Sequence, residues 1–578
     1  MKTPNNIFLL IFALVLGTAC EEKEYDSSDS SAAVDHMEAL KVASGFDWSA
    51  SLNGKIRVAF QNPDNISVDR EFVYLTDKDG AILEKTQVAD LDASFKVELP
   101  ANGEHYISFP YTGQSWKIDG PGDYNFQVSA SGSNKNGKTA SVGSCTVCAS
   151  PIENNLAELP VINANSFSIV SETQVPGWET TAPDGKIEIW STGFNGVPSQ
   201  EGNQFFEINA NNYPNAALYQ SLCLEPGSSI RWSVYHRARQ GVDVARVRIG
   251  ATVSTATEVG LMADGTSAWG YHSGVYQVPA GQVTTVFVFE SVSTGSGNGS
   301  VGNFLDNFRI ECDEDGDGVA DSQDDYPQDA SRAYRSYFPS AGNQILAFED
   351  LWPGKGDYDF NDLVLTQKVE IARNADNELV DAKFAISIDA IGAGHNNGIG
   401  LLLRKQDKTI LNGEKTSTIS GDIANDASND NGFILSSNVY SDISEYYQNN
   451  GVGPSLTPDT LKFTVNFKSG VTVNFIPELY LFRSNNRGLE VHRPGFSGSA
   501  AFDNTLANTI DDNGDFKTAD GLPWAIEIVS ANDYDHPLER IDMVEAFPQF
   551  QTWATSGGSQ NQSWYDFPAV EKIFDIAN

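Results

Sequence analysis

Short runs in which apolar and polar residues alternate, each cut off by a Gly, Asn or Asp turn, recur along most of the chain. "KIRVAF" (55–60), "EFVYLTD" (71–77), "ASFKVELP" (93–100) and "YNFQVSASG" (124–132) open the series, separated by turns such as "KDG", "PANG" and "DGPGD". Alternation with period two sends successive side chains to opposite faces of a strand. Such a chain buries its apolar half only by packing sheet against sheet. The expectation is an all-β protein. Its 578 residues exceed what one core fills and imply several domains.

Residues 36–155 read as an immunoglobulin-like sandwich. Nothing there calls for chemistry, and its expected role is a stalk or spacer. Residues 156–312 form a second β unit, with strands expected at "NQFFEINA", "LYQSLCL", "IRWSVYHRA", "TTVFVFESV" and "NFLDNFRIE". With the lead-in "PGWETTAPDGKIEIW", these segments resemble bacterial jelly rolls of the carbohydrate-binding-module and galactose-binding-like type. The resemblance implies sugar stacking on exposed aromatic faces, since the C–H face of a pyranose is apolar. Trp178, Trp190, Trp269 and Tyr271 are the candidates. The competing reading makes Trp178 and Trp190 packing residues.

"DEDGDGVADSQDDYP" (313–327) lies in the next segment, 313–329. Counted from Asp313, carboxylates fall at positions one, three, five, nine and twelve: Asp313, Asp315, Asp317, Asp321 and Asp324. Gly318 is sixth, where a calcium loop turns sharply, and Val319 is seventh, where a backbone carbonyl ligates. The spacing wraps oxygens around one point, as a hard cation requires. Ending on Asp rather than Glu, the loop resembles thrombospondin type 3 and dockerin-like loops. The expectation is a calcium-set joint between domains, against a plain charged linker.

From 330 to 578, "AFEDLWPGKGDYDFNDLVL", "IGAGHNNGIGLLL", "LPWAIEI" and "FPQFQTWATSGGSQNQSWY" together resemble the LruC domain family of exported bacterial proteins. That family carries no activity to transfer. Its acidic motif gathers Glu349, Asp350, Asp357, Asp359, Asn361 and Asp362 between Phe348, Trp352, Tyr358 and Phe360. So many oxygens in an apolar setting demand a positive partner. A second calcium ion is one expectation; turn capping and pairing with Lys355 or Arg is the other. "DMVEAFPQFQTWA" (542–554) reads as a short amphipathic helix.

The address is written at the N-terminus. Lys2, an apolar run at 7–16 and the small residues before Cys20 form a signal peptide over 1–19. "GTAC" resembles a bacterial lipobox, which makes Cys20 the lipidated residue, with 20–35 a flexible tether. Ordinary secretion is the alternative. The acidic residues after Cys20 resemble the export signal of some Bacteroidetes surface lipoproteins. With 77 acidic against 37 basic residues, the net charge of −40 repels phosphate backbones and argues against nucleic acid. Cys145, Cys148, Cys223 and Cys312 suit disulfides in an exported chain, with connectivity left open.

No HExxH, no G-x-S-x-G and no clustered histidines appear among the seven. The reading is therefore a non-catalytic, calcium-binding surface lipoprotein that holds a glycan or a surface protein. An envelope scaffold is the alternative and a polysaccharide hydrolase the minor one.

Overall fold

The computed structural model describes residues 34–62, 68, 70–129, 152–210, 216–392, 394–413, 415–442 and 459–574. The signal peptide, Cys20 and most of the tether lie outside them, as do Cys145 and Cys148.

The chain is multi-domain and built from strands in face-to-face sheets. In the first sandwich, Leu52–Gln61 sends Ile56, Val58 and Phe60 inward while Arg57 faces water. It pairs antiparallel with Asp92–Leu99 and parallel with Gly122–Gln127. Ile82–Gln87, Phe72–Asp77, His105–Phe109 and Gln114–Ile118 form the facing sheet, and Val73, Leu75, Ile107 and Phe109 close the core.

The second unit is a jelly roll of one five-stranded and one six-stranded sheet. Its core is Ile187, Ile189, Trp232, Val234, Phe287, Phe289 and Phe308. Cys223 and Cys312 are both disulfide-bonded.

The C-terminal unit packs an eight-stranded sheet on a five-stranded one. Leu365, Phe384 and Ile386 meet Ile399, Leu401, Leu479 and Leu481 between them. Asn397–Arg404 is buried along its whole length, and between its terminal Asn and Arg it holds only apolar residues and glycine.

Two expectations are corrected here. The first-domain boundary at residue 36 is displaced, because residues 37–50 belong to the C-terminal unit. Met37, Leu40, Phe46 and Trp48 pack behind its large sheet with Ile526, Met543, Phe550 and Trp553, and Ser49–Ala50 adds a parallel edge strand beside Glu527 and Ile528. Met37 N–H donates to Asp542 (2.8 Å), Lys517 Nζ to the Ser44 carbonyl (2.7 Å), and Trp48 Nε1–H to the Gly521 carbonyl (2.9 Å). The sandwich is thus inserted in the chain between two parts of one core. The helix expected over 542–554 is two short ones, Met543–Ala546 and Phe550–Thr555. Pro548 lies between them, and its ring and missing N–H interrupt the backbone ladder.

The three units meet around residues 309–341. Arg309 joins Glu71 and Tyr111 of the first sandwich to Glu201 of the jelly roll. Lys85 pairs with Asp325 (2.7 Å) and donates to the Gln323 carbonyl, while Ala341 enters the first sandwich's core. Among the described residues, no helix is long and apolar enough to cross a membrane.

Candidate metal centres

The 313–324 loop leaves the last jelly-roll strand, Phe304–Cys312, and is closed by the Asp321 amide donating back to the Cys312 carbonyl (2.8 Å). Gly316 and Gly318 take φ of +79° and +97°, so the chain curls around its own carboxylates. Asp313 is fully buried and accepts the amides of Gly316 (2.8 Å) and Gly318 (3.0 Å). Asp315 accepts Asp317 N–H, Asp317 accepts Val319 N–H, Asp321 accepts Glu314 N–H, and Asp324 accepts Tyr326 N–H. Asp313 accepts on both of its oxygens, whereas the other four side chains accept on Oδ1.

Carboxylate oxygens of Asp313, Asp315 and Asp317 lie within 4.8 Å of one another. Asp315 Oδ2, Asp317 Oδ2 and Asp324 Oδ2 are buried and find no donor. Burial first, then neighbouring carboxylates, pushes Asp317 up to about 6 and Asp324 up to about 7, and raises Asp313 and Asp321. Lys85, whose field reaches Asp324, is already committed to Asp325. Val319 is buried beside them. Without a cation, this cluster holds its charges at a cost.

The second cluster is set by aromatic anchoring. Phe348 and Trp352 are buried in the core between the two C-terminal sheets, and Tyr358 and Phe360 in the core behind the larger one. Tyr358 and Phe360 have φ of +60° and +50°, a region bulky residues enter only under outside constraint. Carboxylate oxygens of Glu349, Asp357 and Asp359 lie within 4.8 Å of one another. Glu349 Oε1 accepts Phe360 N–H (2.8 Å), and its buried Oε2 has no donor. Gly356 passes so close to Glu349 Oε2 that a Cβ there would collide with it. Burial, then Asp362, Asp359 and Asp357, holds Glu349 well above the usual carboxylate range. Burial with neighbouring acids pushes Asp359 up to about 7 and Asp362 up to about 8.

The six expected ligands are not equivalent. Asp350 is turned away, bonded to Asn397 Nδ2 (2.7 Å) and facing Arg483 at 3.9 Å. It is a structural ion pair rather than part of the trio. Asn361 ties the turn to the Pro537 carbonyl (3.1 Å), and Asp362 accepts Asp350 N–H (2.8 Å). The Arg540 amide steadies Asp359 at 2.7 Å from 181 residues away, a partner no local motif announces.

The jelly-roll aromatics are also corrected. Trp178 is core, packed on Phe206, Phe289 and Phe308. Trp190 is buried as well, but on the other face of its sheet from Ile187 and Ile189, in a separate cluster with Phe205 and Phe304 that Phe167, Phe194 and Arg239 cover. Trp269 is half-buried, edge-on to Phe205, with its N–H on the Pro198 carbonyl. Tyr271 is covered by Arg70, 4.3 Å from its ring, and hydrogen-bonded to Arg231. Trp190 and Trp269 share one cluster around Phe205, while Trp178 lies apart in the core between the sheets.

No curated protein matches the chain. Among solved structures, it is similar to a Bacteroides ovatus protein provisionally described as a lipoprotein, at 14% identity, covering 59% of this chain and 100% of that one, with a TM-score of 0.33. A xylan-binding domain of carbohydrate-binding module family 22 shows 13% identity over 26% of this chain and 96% of its own, with a TM-score of 0.20. The second such xylan-binding domain of a Paenibacillus barcinonensis protein shows 11% identity over 26% and 99%, also at 0.20. Residues 377–565, which begin after the Glu349–Asp362 turn, match the family model described as a domain of unknown function, DUF4842.

Proposed function

We propose that this chain is a calcium-binding surface lipoprotein of the LruC-domain type, anchored through Cys20, that binds an extracellular glycan or protein without catalysing a reaction. The observation that carries the reading is the convergence of the Asp313, Asp315 and Asp317 carboxylates, with buried, donorless oxygens on Asp315, Asp317 and Asp324, in the loop that joins jelly roll to C-terminal unit. Calcium suits them because it accepts six to eight oxygens in adaptable geometry, including carbonyls such as that of Val319. The Glu349–Asp357–Asp359 trio supplies a second site of the same chemistry. Bound at the first site, calcium stiffens the region where all three units meet.

With Trp178 and Trp190 buried, support for a glycan ligand moves to a cleft of about 700 Å³ between the first sandwich and the C-terminal unit. Asn53, Tyr337, Asn377, Gln406 and Asn474 line it with amides and a phenol. Such groups satisfy sugar hydroxyls, and bound ligands prefer clefts between domains.

Calorimetric titration of the chelator-stripped chain with calcium tests the reading. Saturable binding that raises the melting temperature, and that loses its tighter phase in Asp315→Asn with Asp317→Asn, is expected. No heat and no stabilisation would leave a charged linker and an envelope scaffold.

A further inference from the structure

Three side chains outside both acid clusters converge at the rim of the jelly roll. His236 lies on Ser229–Arg237 and His272 on the adjacent strand Gly270–Gln277, the edge of the six-stranded sheet. Asp264 ends Thr257–Asp264, the edge strand of the other sheet. Gly270 sits opposite His236, and a Cβ there would strike the Asp264 carboxylate. The bare backbone at Gly270 makes room for that carboxylate between the two rings.

The hydrogen bonds define the nitrogen that faces inward. Asn303 Nδ2 donates to Ser291 Oγ (3.1 Å) and to the Ser293 carbonyl (3.3 Å), so its Oδ1 is the atom presented to His236 Nε2 at 2.9 Å. That nitrogen therefore carries a proton, and Nδ1 is left facing Asp264 Oδ2 at 2.7 Å. His272 Nε2 faces the same oxygen, also at 2.7 Å. Two neutral rings would both need to donate to one oxygen. His236, with its proton committed to Asn303, has none left for it. Positive charge belongs between them, as a second proton on His236 or as a metal ion.

We propose that His236 Nδ1, His272 Nε2 and Asp264 form a zinc site, with water as the fourth ligand. Two imidazoles and a carboxylate are a donor set that zinc accepts, at about 2.0–2.2 Å per bond. The donors move apart from their present contacts to about 3.3 Å around a tetrahedral ion. His272 and Asp264, with side chains 24% and 19% exposed, have room to make that shift and to admit water. Asn303 acts as the outer partner that sets the tautomer and orientation of His236. The ion pins the edge of one sheet to the edge of the other, where the described backbone shows no ladder between them. Its borderline-soft nitrogen donors separate it from the all-oxygen calcium clusters.

The test uses the full chain after chelation, in saturating calcium so that the oxygen sites are filled. Cobalt(II) is titrated as a spectroscopic stand-in for zinc. The expected result is one equivalent bound with visible d–d absorption, displaced by zinc. His272→Ala, which removes its bond to Asp264 and its ring contact with His236, should weaken binding at least about tenfold, while Asp315→Asn with Asp317→Asn leaves it unchanged. His272→Gln repeats the test with a polar replacement. No absorption band on the wild-type chain, or an undiminished band in folded His272 variants, overturns the site.

Discussion

Replacing Trp48 with Ala should weaken the C-terminal unit, although Trp48 precedes the first sandwich and lies almost 300 residues upstream of that unit's main sheet. The ring is fully buried, with centroids 5.0 Å from Phe46, 6.0 Å from Phe550 and 5.9 Å from Trp553. Truncating a buried Trp to Ala costs about 3–5 kcal/mol. Losing the indole bond to the Gly521 carbonyl adds about 1 kcal/mol. A total near 5 kcal/mol rivals the whole stability of an ordinary domain. With a urea dependence of about 3 kcal/mol per molar, the C-terminal midpoint falls by roughly 1.7 M. Urea unfolding followed by the fluorescence of Trp352, Trp524 and Trp564 reads it, and a chain begun at residue 52 should reproduce the loss. An unmoved midpoint in both would refute the view that residues 37–50 complete that core. The consequence for an anchored protein is direct. If Cys20 carries lipid, the chain beyond the tether enters the C-terminal unit before it reaches the first sandwich.

The remaining expectations concern the sites. In chelator, Asp359 at about 7 and Asp362 at about 8 bind protons in the folded state that the unfolded chain has already lost. Because these values are raised above about 3.9, their contribution is complete at low pH and disappears as pH rises through 7 and 8. The melting temperature in chelator should therefore be lower at pH 8.5 than at pH 5.5, with calcium removing the difference; equal loss with and without calcium sinks the cradle. Gly356→Ala should drive a methyl into Glu349 Oε2 and abolish the second calcium-binding phase while sparing the first; two intact phases by calorimetry contradict that geometry. Trp178→Ala should cost the jelly roll about 3–5 kcal/mol, and the fully folded stability of this variant with only a sugar affinity lost would return Trp178 to the surface.

The acidic loop was legible because its carboxylates sit within twelve consecutive positions and the conformation that joins them is local, down to Gly318 at positive φ. The second acid cluster was legible only in outline. Its acids are consecutive enough to be noticed, but Arg483 and Asn397, which claim Asp350, arrive from other strands. The histidine pair looked like isolated residues, since His236 and His272 are 36 positions apart and meet only through strand pairing. The aromatic candidates divide for a related reason: a Trp in loop-like sequence carries no mark of its burial, and Trp178 went into the core between the sheets while Trp190 was covered on the opposite face and Trp269 stayed half-buried beside it.

By itself, the amino-acid order determined an all-β chain of stacked sandwiches, the jelly-roll character of the second unit and the spacing of the acidic loop. Those properties depend on periodicity and on contacts between near neighbours, which a linear string records. Tertiary structure alone decided that residues 37–50 return to the C-terminal core, that Asp350 leaves its neighbours for Arg483, and that two edge strands and the strand beside one of them bring His236, Asp264 and His272 together. Each of these depends on contacts between segments far apart in the chain, where burial and charge pairing are shared by groups that no local pattern links.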